Sequence, residues 1–156
     1  MNPEKFTQKS LEAIQEAQSV AIRNQNGSIE QAHLMSALLT QEGGLIPQIF
    51  TKMTVDPREL LSRTDQLIAR YPKVSGDASQ YLSQALNRAL VEAETQAKKM
   101  QDEYVSVEHL VLALLEISDP DMKEIFRTFN ISKKEYMNAV KSIRGNAKVT
   151  NQNPRS

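Results

Sequence analysis

The chain has 156 residues, 40% of them apolar and 24% charged, with 19 basic residues against 19 acidic ones and no cysteine. That length lets one domain bury roughly 70% of the surface its unfolded chain exposes. Zero net charge argues against a nucleic-acid or membrane-surface partner, which a basic field would attract, and the lack of cysteine excludes disulfides, thiolate zinc sites and thiol nucleophiles.

Glu4, Lys5, Lys9, Glu12 and Glu16 interrupt any apolar run at the N-terminus, so no signal peptide is expected. The longest apolar run, Leu110 to Leu115, is far short of the ~20 residues that span a bilayer. A soluble, cytoplasmic protein is the expectation. The first helix opens on Thr7 as hydroxyl cap, with Phe6 before it to staple the first turn. Ala13, Ala17 and Ala21 then recur at helical spacing; alanine permits close helix approach, which predicts a central, tightly packed helix. A second helix carries the Leu-rich run His33 to Leu39. A short third helix, Leu45 to Met53, follows Gly43-Gly44. The fourth opens with a capping box, Asp56 to Glu59, and presents Leu60, Leu61, Thr64, Leu67 and Ile68.

After a Pro/Gly/Ser-containing connector at 71–81 the pattern starts again. Displaced by 76 positions, the sequence lies on itself without a gap: Ala13, Ala17 and Ala21 meet Ala89, Ala93 and Ala97, while His33, Leu34, Ala37, Leu38 and Leu39 meet His109, Leu110, Ala113, Leu114 and Leu115. Ile49-Phe50 meets Ile125-Phe126, and the cap Thr7 meets Ser83. The third and fourth helices of the second copy are expected at Asp121 to Phe129, after Asp119-Pro120, and behind the box Ser132 to Glu135, with Tyr136, Met137, Val140 and Ile143 as the buried stripe. The expected fold is all-α: eight helices, a tandem duplication of a four-helix unit with pseudo-two-fold symmetry. Its expected domain is 1–144, with copy one at about 6–70 and copy two at about 82–144. Residues 145–156 hold one sizeable apolar residue, Val149, and are expected to be a flexible linker.

Catalytic chemistry finds little support. No G-x-x-x-x-G-K-[ST] or G-x-G-x-x-G loop is present, so no phosphate cradle is expected. The two histidines, His33 and His109, are repeat equivalents at the start of the second helix, which points to a task the fold requires, such as a bond to backbone. No His-x-x-x-His spacing supports a metal. Asp102, Glu103 and Glu108 lack a nearby nucleophile. Glu108 reads as a favourable charge at a helix N-terminus capped by Ser106, or as a recognition residue at a groove edge. Glu108 and His109 as an enzyme site fails because adjacent helical residues point about 100° apart. Lys98-Lys99 and Lys133-Lys134 are too short and scattered for a nucleic-acid face. Glu92 and Gln96 make the second copy's first helix partly polar.

Several stretches together resemble the N-terminal domain of the Clp family of AAA+ unfoldases: Phe6-Thr7-Gln8-Lys9-Ser10-Leu11, Glu30-Gln31-Ala32-His33-Leu34 with Ala37-Leu38-Leu39, and Asp102-Glu103-Tyr104-Val105-Ser106-Val107-Glu108-His109-Leu110. Gln41-Glu42-Gly43-Gly44, Pro72-Lys73-Val74-Ser75-Gly76 and Ile143-Arg144-Gly145 leading to Val149-Thr150-Asn151-Gln152-Asn153-Pro154 favour the ClpB-type disaggregases within it. The resemblance implies a non-catalytic domain tethered to an ATPase ring. That parent would be a hexamer using ATP and magnesium, cooperating with an Hsp70-type chaperone system. The domain itself, an isolated monomer without a cofactor, would bind exposed apolar segments of unfolded or aggregated proteins in a groove between the copies. It also implies Thr7, Asp102 and Glu108 as functional positions, with Leu86, Tyr104 and Val107 as candidate lining. For Thr7 a simple N-cap role is equally open. The alternative within the family is a surface that docks an adaptor protein for a protease-linked unfoldase.

Overall fold

A computed structural model describes residues 1–76 and 80–153. The remainder of the connector, 77–79, and of the tail, 154–156, including Pro154 of the resemblance, lie outside the described residues. Among the described residues there are eight α-helices: α1 (Gln8–Arg23), α2 (Gln31–Thr40), α3 (Leu45–Lys52), α4 (Pro57–Ala69), α5 (Gln84–Lys99), α6 (Val107–Glu116), α7 (Pro120–Thr128) and α8 (Lys133–Arg144). Two short strands, β1 (Ser28–Ile29) and β2 (Tyr81–Leu82), accompany them. None of the helices is long and apolar enough to cross a membrane.

The expected cap residues sit at their helix starts, but the boxes expected at α4 and α8 are not closed by Glu59 or Glu135. Thr7 and Ser83 accept from the N–H groups of Ser10 and Leu86, three residues on, and Ser132 accepts from Glu135. Asp56 accepts instead from Arg58. Even the strained turns are duplicated. Gln25 and Gln101, 76 apart, both have φ near +60°, as do Thr54 and Asn130. Each lets the following N–H reach back to close its helix: Asn26 to Ala21, Asp102 to Ala97, Val55 to Phe50 and Ile131 to Phe126, all at 2.9 Å.

The two copies are joined by a reciprocal exchange. Ser83 N–H donates to Ile29 O at 3.0 Å, and 76 positions away Thr7 N–H donates to Val105 O at 2.9 Å. β2 thus pairs in parallel with β1 of the other copy, while Phe6 makes the equivalent bridge to Val105. The helices follow the same rule. α3 packs on α8 of the second copy, and α7 on α4 of the first. These paired contacts, each made once in each direction, are the pseudo-two-fold relationship in physical form.

One expectation is corrected at the centre. The alanine stripe of α1 is buried against α2, yet α2 and α6 hold the middle of the molecule; Gln31 to Leu39 and Val107 to Leu114 are buried without interruption. Helices α2 and α6 are buried on every side, polar residues included, whereas the charged side chains Glu12, Glu16 and Arg23 keep the other faces of α1 in water.

The tail also differs from the flexible linker expected. Val149 is 5% exposed, its N–H donates to Asp102 Oδ1 at 2.9 Å, and its carbonyl accepts from Glu103 N–H at 2.8 Å. Its repeat equivalent, Lys73, bridges Asn26, beside Val74 N–H bonded to Gln25 O at 2.8 Å. In both copies, then, the chain leaves the fourth helix and returns to the end of the first. Backbone pairing, which composition does not display, holds this segment down.

Candidate functional site

His33 and His109 perform the same local task. Each is fully buried at the third position of its helix. His33 Nδ1 accepts from Glu30 N–H at 2.8 Å, and His109 Nδ1 accepts from Ser106 N–H at 2.9 Å. The accepting Nδ1 leaves the proton on Nε2, which points at Asn26 Oδ1 (2.8 Å) in the first copy and Asp102 Oδ2 (2.7 Å) in the second. The imidazole replaces the glutamate of an ordinary capping box and ties the helix start to the loop before it.

Asn26 and Asp102 are repeat equivalents, and the change from amide to carboxylate builds a charged cluster in one copy only. Arg144 Nη2 donates to Asp102 Oδ1 at 2.6 Å and to Ala147 O at 3.1 Å. Burial alone would raise the Asp102 pKa; the hydrogen bonds from His109, Arg144 and Val149 N–H overcome it and hold the carboxyl well below the usual range. Glu108, 5% exposed, accepts from Ser106 Oγ, and its Oε2 stands 3.6 Å from Arg144 Nη1. That Nη1 is buried and has no hydrogen-bond partner among the described residues. In the first copy Ile68 and Ala32 occupy the positions of Arg144 and Glu108, and both are buried in the apolar core.

This cluster forms the back of a groove of about 270 Å³ where the copies meet. The cap Thr7 and Lys9 of α1, Gln41 at the end of α2, Gly44 and Leu45 at the start of α3, and Ser106, Val107 and Glu108 at the start of α6 line it, and Ile143, Arg144 and Ala147 to Val149 close the far side. Its apolar surfaces are Leu45, Val107, Ile143 and Val149; its cations are Lys9, Arg144 and Lys148.

Three of the expected site residues are brought together here: Thr7, Val107 and Glu108. Thr7 is 1% exposed and committed to its cap, its hydroxyl donating to Ser10 Oγ at 3.0 Å. Asp102 does not line the groove; it stands behind, bonded to Arg144 and Val149. Leu86 does not line it either. At 1% exposure it belongs to the core beneath the Ser83 cap. Tyr104 is half-buried and lies outside the lining. Glu92 and Gln96 also lie elsewhere, where Gln96 Nε2 donates to Glu92 at 2.7 Å.

Arg144 and the tail are the residues the sequence did not announce as part of a site. A signal existed in the broken repeat: an arginine where the first copy has Ile68, arriving together with aspartate for Asn26 and glutamate for Ala32.

A match to the family described as the Clp repeat (R) N-terminal domain covers residues 5–129. The chaperone protein ClpB 2 of a Nostoc species is 43% identical over 154 residues, covering 98% of this chain and 17% of that protein. The chain therefore spans under a fifth of the length of that relative. Among solved structures, the Hsp104 N-terminal domain from Candida albicans superposes with a TM-score of 0.81 at 18% identity, covering 95% of this chain and 97% of that one. A ClpV N-domain in complex with a VipB peptide gives a TM-score of 0.67 at 17% identity, covering 88% of each.

Proposed function

The chain belongs to the Clp repeat N-terminal domain family, and from that membership we propose that it is the non-catalytic recognition domain of a ClpB-type chaperone. It takes exposed apolar segments of unfolded or aggregated proteins into the groove between its copies. The parent supplies the ATPase, its ATP and magnesium, the hexameric ring and the cooperation with an Hsp70-type system, in the cytoplasm. The domain alone is a monomer.

The observation that supports this reading is an asymmetry between two equivalent seams. At one seam Gln31 is fully buried and bridges the copies, its Nε2 donating to Ala85 O and Ile117 O at 3.0 Å each, its Oε1 accepting from Asp119 N–H at 2.8 Å. At the other the repeat equivalent of Gln31 is Val107, which is too short to reach across, and the groove remains. A seam held open beside Leu45, Val107 and Ile143 is a place where an apolar side chain from another polypeptide gains burial. Affinity at so small a contact is weak, because it must offset the ordering of the bound chain. Several copies on one ring raise the effective concentration and retain the client.

Titrating the chain with a chemically unfolded protein by fluorescence anisotropy tests this. Binding that falls when the groove is filled by Val107→Gln supports it; binding indifferent to that substitution contradicts it.

A second reading keeps the groove and changes the occupant to a folded adaptor, as in a protease-linked unfoldase. The ClpV N-domain solved with a VipB peptide favours it. Saturable binding of a single structured partner, with none of unfolded protein, distinguishes it.

A further inference from the structure

Each copy carries a second recess, between the end of its first helix, its second helix and its fourth, and the two recesses differ in chemistry. In the first copy the recess is lined by polar groups bonded within the chain. Arg23 Nη2 donates to Glu16 at 3.1 Å, Ser36 Oγ to Asp65 Oδ1 at 3.0 Å, and Thr40 Oγ1 to the Ser36 carbonyl at 3.0 Å. In the second copy the equivalent recess, about 720 Å³ between α5, α6, α8 and the tail, has lost those pairs. Leu112 stands where the first copy has Ser36, Lys141 where it has Asp65, and Met100 where it has Asn24. Glu92, the counterpart of Glu16, accepts from Gln96 Nε2 at 2.7 Å, and Lys99 holds the position of Arg23 without that carboxylate.

What remains is an apolar floor inside a basic rim. Leu112 and Val140 are buried, and Met100 and Met137 are half-buried beside them; unbranched methionine adapts to apolar partners of varied shape. Lys99, Lys133, Lys141 and Lys148 stand exposed around that floor, and no acidic residue lines the recess. Two of its cations are matched: Lys133 by Glu116 at 2.8 Å, and Arg144 by Asp102 at 2.6 Å. Lys148 Nζ donates to the Met100 carbonyl at 2.9 Å and keeps its charge. Lys99 and Lys141 have no salt-bridge partner among the described residues. In a chain of zero net charge, this gathers positive charge at one apolar opening.

We propose that this recess docks an acidic segment of another protein, one that sets an apolar side chain between carboxylates. The apolar group rests on Met100, Leu112 and Met137, while the carboxylates meet Lys99, Lys141 and Lys148. The surface is distinct from the client groove, although Ala147 and Lys148 line both, and it does not depend on the client reading. A wholly apolar segment leaves the lysines unmatched, and a nucleic acid finds no aromatic side chain in the lining on which to stack a base. Charge on the rim sets selectivity and speeds encounter, while burial on the floor retains the segment.

The test uses the full chain and three short fluorescein-labelled peptides: one with leucines between glutamates, a twin with glutamine for each glutamate, and a twin with serine for each leucine. Anisotropy gives affinities and amide shifts give location. The leucine–glutamate peptide is expected to bind roughly tenfold tighter than either twin, with its advantage over the glutamine twin shrinking at high salt. Shifts are expected at Lys99 to Gln101 and at Lys141 to Asn146. Lys141→Asp, which writes the first copy's residue into the second, is expected to weaken binding roughly tenfold with the circular dichroism spectrum unchanged. Lys99→Gln reports on the same rim from α5 should that substitution loosen α8, and Val107→Gln is expected to leave binding as it is. Equal affinities for the glutamate and glutamine peptides overturn the proposal. So does equal binding of the serine twin, which reduces the recess to a diffuse anion preference. Shifts confined to Gly44, Leu45 and Val107 also overturn it, since acidic segments then enter the client groove. Phosphatidylserine vesicles that displace the peptide, and whose binding is lost with Lys141→Asp, overturn it in favour of a membrane surface.

Discussion

His109 Nε2 reaches Asp102 Oδ2 at 2.7 Å, and 76 positions earlier His33 Nε2 stands 2.8 Å from Asn26 Oδ1, so one ring geometry is kept while its acceptor changes from amide to carboxylate. The amide needs no counter-ion. The carboxylate has one, Arg144, and with it an anchor for the tail through Val149 N–H. The duplication thus carries its own control experiment, since residues of one copy show what the other tolerates.

Asp102→Asn follows from that comparison. Asparagine serves His33 and should serve His109, so the fold survives. Arg144 loses its charge partner while remaining largely buried, and the expected cost is about 2–3 kcal/mol. Faster hydrogen exchange at Val149 and Glu103 amides, beyond the global change, would show the tail released from the groove wall. Unchanged exchange there would mean that Asp102 does not hold it.

Acid acts on the first copy through His33. Burial lowers its pKa from 6.5 to about 4, with Glu30 opposing the shift. The unfolded chain takes up the proton first, so this contribution is full above 6.5 and is lost as pH falls toward 4. The shift corresponds to about 3 kcal/mol at ~1.4 kcal/mol per unit. His33→Gln keeps an acceptor for the Glu30 N–H and does not titrate. Denaturant melts of both proteins at several pH values should show the stability gap between them shrinking across that window.

The two staples before the first helices are unequal. Phe6 is fully buried, whereas Leu82, its repeat equivalent, is 36% exposed. Phe6→Ala is expected to cost about 3–5 kcal/mol and Leu82→Ala about 1 kcal/mol or less. Thermal unfolding distinguishes them, and equal costs would contradict the burial difference.

Exchanging the seam residues probes the groove without touching its charges. Gln31→Val leaves Asp119 N–H and two carbonyls without their partner and should destabilise by about 2–3 kcal/mol. Val107→Gln places the longer side chain where a seam of the same build already accepts one, so the fold should hold while client affinity drops. Circular dichroism and the anisotropy titration together separate the two effects.

Much of this was legible in the sequence. The displacement of 76 positions gave the eight helices, their caps and the equivalence of the two histidines. It also implied symmetric halves, and the reciprocal bonds of Thr7 and Ser83 are that symmetry realised. The order of burial was harder to read. A small-residue stripe on α1 and a Leu-rich α2 both suggest interior positions, and only packing shows that the second is enclosed. The groove was the least legible, because it arises where the repeat fails: Val107 for Gln31, Arg144 for Ile68, Asp102 for Asn26. Leu86, a candidate lining residue only through the resemblance, lies in the core at 1% exposure. The tail escaped notice because its hold on the domain runs through backbone and one buried valine.

A residue-resolved amide shift map of the chain with unfolded protein bears most directly on the central claim that one of two equivalent seams is an open binding groove. The account predicts changes at Gly44, Leu45, Val107, Ile143 and Lys148, and quiet amides at Gln31, Ala85 and Ile117. Changes of equal size at both seams, or none at the open one, would contradict it.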